Sequence, residues 1–391
     1  MQRALLLFRL CLCALLAQSA FSAAQENKAT PSAVSTEPHP GIAQDTSPPS
    51  AKTSPAGSAP AVGTLPHIAL LLPLASKAFA PLANALRSGW AAAAAFDGRN
   101  ALPYRIYVSD NEGDALSGQF HSAVNEGALL VTAGLTRDGA TLLARLALQE
   151  NSSRVPVLAL NAPDVAAPSR FYFLSLSLDN EARQTAQFAY EEGAKSVAIV
   201  SSASALSRRI AEGFEKEWLR SGGEIAARIA FAGDPADAPR LRDKLENLRS
   251  DIVFLAAGPG TARIARPYIP IWMQIYATSL SFDSRADTVA NIDLEGVRFL
   301  EMPWFVQPDH PAVMIYPRPG NSTPVEQERL YALGIDAWRL ASQLARAGER
   351  GAALDGVTGK LTLDSSGQYS RALLPAEFHD GRAQVSRHVA E

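Results

Sequence analysis

From residue 67 onward, short apolar runs alternate with stretches whose apolar positions recur every three to four residues. The runs over 68–74, 104–109, 129–133, 155–160, 197–201, 224–231, 252–256 and 271–277 are rich in Val, Ile, Leu and aromatic residues, and predict strands. Several are apolar at consecutive positions, as strands covered on both faces of a parallel sheet must be. Between them, the patterns over 81–96, 117–126, 136–148, 180–193, 204–221 and 239–248 predict amphipathic helices. A strand–helix–strand rhythm of this kind implies open, mostly parallel sheets with helices on both faces. The repeats are too many for one small sheet and predict two α/β lobes.

Local chemistry supports these elements. Asp179 stands before Asn180 and Glu181, so a capping side chain and an early acid meet the free amides of the 180–193 helix, and Gly193 stops it. Ser204 opens the next helix, Gly222-Gly223 ends it, and Leu206, Ile210, Phe214 and Trp218 form a core stripe down one face. Glu212, Glu215, Lys216, Glu217 and Arg220 read as the solvated face of that helix. Gly334 lies in a helical pattern running from about 324 to 346, where it permits a neighbouring element to approach closely. In that helix Asp336 is expected to pair with Arg298 or to accept from Tyr276. Residues 358–364 and 368–374, joined by Ser365-Ser366-Gly367, read as a hairpin.

The first 65 residues differ. Two arginines precede an apolar stretch over 10–17 and small residues up to Ala24, the plan of a cleaved secretory signal over 1–24. The apolar stretch is shorter than the ~20 residues a spanning helix needs, and no later stretch reaches that length, so no transmembrane segment is expected. Residues 25–65 are Pro-, Ser- and Ala-rich without an aromatic, and read as a tether with too little apolar surface to offset ordering. The remainder, 66–391, is expected to form one two-lobed domain. Lobe 1 takes about 66–173 and 278–350, and lobe 2 about 174–277 and 351–391.

The two cysteines, Cys11 and Cys13, both fall in the leader, so disulfides and thiolate chemistry leave with it. Leu12 before Cys13 makes a poor lipid-attachment signal, which favours the periplasm over an outer-membrane lipoprotein. Lys and Arg number 36 against 39 Asp and Glu, a net charge of -3 that points to no nucleic-acid partner. No phosphate loop or nucleophile elbow occurs, and Gly258-x-Gly260 lacks the third glycine of a dinucleotide fingerprint, so it reads as a turn opening a helix. The six histidines show no ligand spacing. No catalytic residue, metal site or cofactor is expected. In open sheets ligands bind beyond the carboxyl ends of strands, which makes Thr136, Asn161 and Ser279, each just after a predicted strand, the candidates for lining an inter-lobe cleft. Thr136 equally suits a helix cap, and Asn161 a turn.

The C-terminal third adds a resemblance. The runs 275–279, 293–299 and 301–304 (IYATS, DLEGVRF, EMPW), then 330–340 (LYALGIDAWRL), 358–364 (TGKLTLD) and 371–378 (RALLPAEF), resemble the LppC-like penicillin-binding-protein activators, over about 66–385. The resemblance implies a two-lobed type I periplasmic-binding-protein fold, each lobe a mostly parallel sheet with helices on both faces. It also implies a non-enzymatic envelope protein that regulates peptidoglycan synthesis by docking onto a penicillin-binding protein. The better-known activators carry a helical-repeat domain where this chain has its tether. The same fold serves solute receptors of ABC importers, which would place an amino acid or small anion in the cleft.

Overall fold

The first strand, β1 (His67–Leu72), is buried at every position and pairs on both sides, as its unbroken apolar run requires. The computed structural model describes residues 65–149, 155–283, 288–347 and 353–386. The expected leader and nearly all of the tether, with Cys11, Cys13, His39 and His388, lie outside the described residues.

With β2 (Tyr104–Val108), β3 (Ala128–Ala133), β4 (Val157–Ala159) and β5 (Phe171–Phe173), β1 forms an all-parallel sheet in the order β2-β1-β3-β4-β5. Helices α1 (Ala80–Asp97), α2 (Asp114–Asn125) and α3 (Arg137–Gln149) alternate with the first four strands. The chain then crosses over and repeats the pattern. The strands β6 (Ser196–Ser201), β7 (Glu224–Ala230), β8 (Ile252–Ala256), β9 (Gln274–Ala277) and β10 (Val297–Glu301) stand in the order β7-β6-β8-β9-β10, again parallel. They are interleaved with α4 (Leu178–Glu191), α5 (Ala205–Arg220), α6 (Ala238–Glu246) and α7 (Pro259–Ala265). Both lobes thus have their switch point between the first and third strands of the sheet, where the winding reverses and a crevice opens.

Beyond Asn291 the connectivity departs from the expected boundaries. The sequence placed 278–350 in the first lobe, but β10 pairs with β9 of the second sheet, because Val297–Glu301 is buried along its whole length and needs partners on both edges. After the single-turn helices α8 (Thr288–Asn291), α9 (Pro303–Val306) and α10 (Pro311–Met314), the long α11 (Val325–Ala347) runs along α1. A small sheet, β11 (Leu354–Gly356), β12 (Gly359–Leu363) and β13 (Tyr369–Ala372), follows. Phe173 of β5 donates to the Gly367 carbonyl at its turn, so these strands lean on the first lobe and not, as expected, on the second. Only β14 (Leu374–His379) and β15 (Arg382–Val385) rejoin the second sheet, β14 antiparallel to β10 and β15 antiparallel to β14.

The α1–α11 crossing is as close as Gly334 suggested. A Cβ on Gly334 would sit 2.1 Å from the Leu86 carbonyl oxygen, and one on Gly89 would sit 1.8 Å from that of Tyr331, so each helix places a glycine against the other's backbone. Trp90 and Trp338 pack edge to face beside them, and the Trp338 indole donates to Asp97 at 2.8 Å. The stripe on α5 is core: Ile210, Phe214 and Trp218 are fully buried, and Phe214 stacks on Phe254 at 3.8 Å.

Three local expectations change. Ser177, not Asp179, caps α4, accepting from the Asn180 amide at 3.3 Å, because its own backbone is extended and aims the hydroxyl at the helix start. The run over 271–277 becomes a strand only from Gln274. Met273 turns back onto the Pro270 carbonyl, leaving Ile271 and Trp272 91% and 67% exposed. On α5, Glu217 is covered rather than solvated, since Arg220 folds over it. The 365–367 hairpin turn forms as read, with Gly367 at φ +85 and Asp364 accepting from the Ser366 and Gln368 amides.

Candidate functional site

Thr136 sits at the switch point of the first lobe, at the start of α3. Its hydroxyl accepts from the Gly139 amide at 3.0 Å and so caps the helix. The free amides just ahead of the helix already have a partner. Glu112, from the loop after β2, accepts from Leu135 N at 2.7 Å and Thr136 N at 2.5 Å. Such amides at a helix start are a ready anion seat, and here the chain's own carboxylate fills it. Gly139 makes room, since a Cβ there would lie 2.5 Å from a Glu112 carboxylate oxygen. Burial pushes the Glu112 carboxyl above its ordinary range, against the hydrogen bonds from Thr136 and Leu135, which favour the ionised form. Asn161 makes a turn: its amide donates to the Leu135 carbonyl and its oxygen accepts from Ala162 N.

From the same edge Arg137 reaches Asp164 at 3.0 Å and, at 3.8 Å, Asp179 in the first turn of α4. Arg209 of α5 holds Asp179 at 2.9 Å. A ladder of alternating charges thus runs from the loop after β4 and the start of α3 to the first turn of α4 and to α5. Arg137, Asp164 and Arg209 are about half exposed, so each rung contributes under about 1 kcal/mol.

Ser279, the third sequence candidate, is buried. Its amide and hydroxyl both donate to Glu181 of α4, the hydroxyl at 2.8 Å. Beside them Arg329 of α11 grips Glu301, at the end of β10, through both carboxylate oxygens at 2.7 and 2.5 Å, and its guanidinium also reaches the Ser279 carbonyl. Arg371 of β13, fully enclosed, donates to the carbonyls of Ser175 at 3.0 Å and Thr358 at 3.3 Å. Two carboxylates and two guanidinium groups, from α4, β10, α11 and β13, therefore meet where the chain passes between lobes. Burial, and then the Glu301 charge, push the Glu181 carboxyl up to about 7. Burial opposes the charge on Arg329, yet the facing Glu301 raises its pKa; for Arg371 burial prevails and lowers it.

The expected partnership of Asp336 with Arg298 or Tyr276 does not form. Asp336 accepts from Val357 N at 3.0 Å and from Thr358 N and Oγ1 at 2.8 and 2.7 Å, tying α11 to the turn between β11 and β12. Arg298 instead pairs with Glu192 at 3.1 Å and Glu377 at 3.2 Å, and the Tyr276 hydroxyl donates to Glu192. Both Asp336 and Arg298 are buried, but each finds its partners in other segments.

Sequence reasoning also missed Glu112, Glu301, Arg329 and Arg371, and it read Glu181 as an acid at a helix start when its carboxylate in fact holds Ser279. Glu301 carried one usable signal, an acid directly after the apolar pair Phe299-Leu300, since a charge at the end of a buried strand demands a partner.

Two lobes with the same strand order, joined by a crossover and by a helix that returns to the first lobe, define the class: a type I periplasmic-binding-protein fold, α/β with mostly parallel sheets. Within that class the chain belongs to the LppC putative lipoprotein family, whose profile matches residues 61–381. It is 24% identical over 326 residues to the penicillin-binding protein activator LpoA of Dickeya chrysanthemi (strain Ech1591), an alignment covering 72% of this chain and 47% of the relative. The chain thus spans about half the length of the curated relatives it matches. Among solved structures it resembles the LpoA (YraM) C-domain from Haemophilus influenzae, described as a regulator of PBP1A. The TM-score is 0.68 and the identity 24%, with 82% of this chain and 99% of that one covered. A putative branched-chain amino acid ABC transporter from Chromobacterium violaceum ATCC 12472 is 35% identical, with TM-score 0.68 over 80% of this chain and 99% of that one.

Proposed function

We propose that this protein is a non-enzymatic cell-envelope regulator that docks onto a penicillin-binding protein and modulates peptidoglycan synthesis from the periplasm. Membership of the LppC family and the similarity to proteins named penicillin-binding protein activators support the choice of partner. The observation that carries the choice against a solute receptor is Glu112. The amides that would receive a ligand carboxylate at the first switch point are held by a side chain of the same molecule. The leader over 1–24 would deliver the protein to the periplasm and the 25–65 segment would tether the 66–391 domain. Among the described residues no helix is long and apolar enough to cross a membrane.

The second reading is an amino-acid or small-anion receptor of an ABC importer, favoured by the 35% identical transporter structure. It would place ligand between the lobes against Thr136, Asn161 and Ser279, with Glu112 swinging away. Melting the full-length protein against a panel of amino acids separates the two. A ligand at 100 times its Kd adds about 2.7 kcal/mol, an upward Tm shift of several degrees. The regulator reading expects no shift with any amino acid and saturable binding of a purified bifunctional penicillin-binding protein to the immobilised chain. A clear shift, together with no retention of the synthase, reverses the assignment.

A further inference from the structure

Just ahead of β9 the chain makes two short turns in succession. The Ile269 amide donates to the Arg266 carbonyl at 3.1 Å, and the Met273 amide to that of Pro270 at 3.0 Å. Ile269, Pro270 and Met273 are buried and root both turns in the second lobe. Ile271 and Trp272, at the tip of the second turn, stand 91% and 67% exposed, with Pro267 exposed and Tyr268 half-buried in the first. Turn tips are ordinarily Gly, Asn, Asp or Ser, whereas here a branched aliphatic chain and an indole are held in water. The four other tryptophans, Trp90, Trp218, Trp304 and Trp338, are fully buried. Pro267 and Pro270 fix φ, so the exposed pair is presented with little backbone freedom left to lose on binding. Beside it Arg242 of α6 lies over the Tyr268 ring, 5.2 Å from its centroid, and donates to the Pro267 carbonyl at 3.5 Å; among the described residues it forms no ion pair.

The place of these turns in the fold bears on what covers them. The carboxyl ends of both sheets meet at the lobe junction, where Ser175 follows β5 and Ser279 follows β9, so the amino ends of the strands point away from it. The chain enters the first sheet at His67, at the outer end of one lobe, and Trp272 stands ahead of Gln274, at the outer end of the other. A tether over 25–65 would hold the domain by one end and leave Trp272 at the opposite one, facing a partner and not the surface to which the tether leads back. We propose that the turns over 266–273 are the docking surface for the penicillin-binding protein, with Trp272 as the central anchor, Ile271 beside it and Arg242 at the rim. The inference rests on the regulator reading above. The partner surface it fits is an apolar socket for an indole with a carboxylate within reach of Arg242. Exposed tryptophan on a rigid support is the kind of side chain that carries most of an interface's energy.

Binding of the full-length protein to an immobilised, purified bifunctional penicillin-binding protein tests this. Trp272→Ala is expected to raise Kd by about thirtyfold and Ile271→Ser by about fivefold, with Trp272→Phe recovering much of the loss. Leu148→Ser, at an exposed apolar position on α3, is expected to bind as the parent does. All these side chains lie at the surface, so each variant should keep the parent's Tm within a degree or two. A second arm uses vesicles of phosphatidylethanolamine and phosphatidylglycerol, with acrylamide quenching of Trp272 as the readout. No protection by vesicles is expected; protection that disappears in Trp272→Ala assigns the turn to a lipid surface and overturns the proposal. If the parent binds the synthase and Trp272→Ala and Ile271→Ser bind equally well, the docking surface is elsewhere while the regulator reading stands. A parent that binds no synthase sinks both.

Discussion

At the scale of single residues, the structure turns on carboxylates placed where water cannot reach them. Glu112 satisfies two amides at the start of α3, so Glu112→Ala leaves two donors unpaired and is expected to cost about 2 kcal/mol. The vacated seat should then accept a small anion: acetate is expected to restore part of the lost Tm in Glu112→Ala and to leave the parent protein unmoved, and an unresponsive variant would argue that the amides do not form an anion seat. Glu181 makes a second prediction through pH. Its folded pKa of about 7 stands above the 4.5 of the free carboxyl, so the native state binds the extra proton. Its contribution is therefore fully present below pH 4.5 and is lost as pH rises toward 7, by on the order of 3 kcal/mol. In Glu181→Gln this loss is absent, and the drop in Tm between pH 5 and pH 8 should shrink; an unchanged drop would assign the pH dependence to other groups. None of these roles was legible in the sequence. Thr136 and Asn161 were candidates for the cleft with a cap and a turn as the alternative, and the structure shows the cap and the turn; Glu112 is 24 positions from the amide it holds, and Glu181 is 98 from Ser279.

At the scale of elements, the sequence was far more informative, because strand and helix periodicity are local. The expected strands at 68–74, 129–133, 197–201 and 252–256 form within a residue or two of those bounds. β5, only three residues long, gave no periodicity to read, and β10 stood out in the sequence as a motif instead of a strand. The Ile271-Trp272 stretch failed for a physical reason: its apolar residues look like a buried strand, but Pro270 and the turn at Met273 hold them outside the sheet. Gly334 was legible as a contact glycine, and its effect is measurable. Gly334→Ala drives a Cβ against the Leu86 carbonyl and should lower stability by about 3 kcal/mol in urea unfolding. Gly118→Ala in α2 meets nothing within 4 Å and should raise stability by about 0.5–1 kcal/mol. Equal effects at the two sites would show that α1 and α11 do not pack through their backbones.

At the scale of the whole molecule, two lobes of one strand order are joined through a junction of buried carboxyl and guanidinium groups. Glu181, Glu301, Arg329 and Arg371 tie α4, β10, α11 and β13 together, and the Asp164–Arg137–Asp179–Arg209 ladder links the loop after β4 and the start of α3 to α4 and α5. A solute receptor needs polar groups at the switch point left free for its ligand, whereas here the helix-start amides and the buried Ser279 donors are engaged internally. That internal engagement fits the docking role proposed above better than a receptor role. The two-lobed class was legible from the strand–helix rhythm, whereas the path of the chain back to the first lobe after β10 was not, because it depends on pairings between Val297–Glu301 and segments on either side of it. The most direct test of the regulator assignment is the rate of glycan-strand synthesis by a purified bifunctional penicillin-binding protein, measured with and without an equimolar amount of this protein. The account predicts a saturable change in rate that tracks complex formation; an unchanged rate at concentrations well above any measured Kd would contradict it.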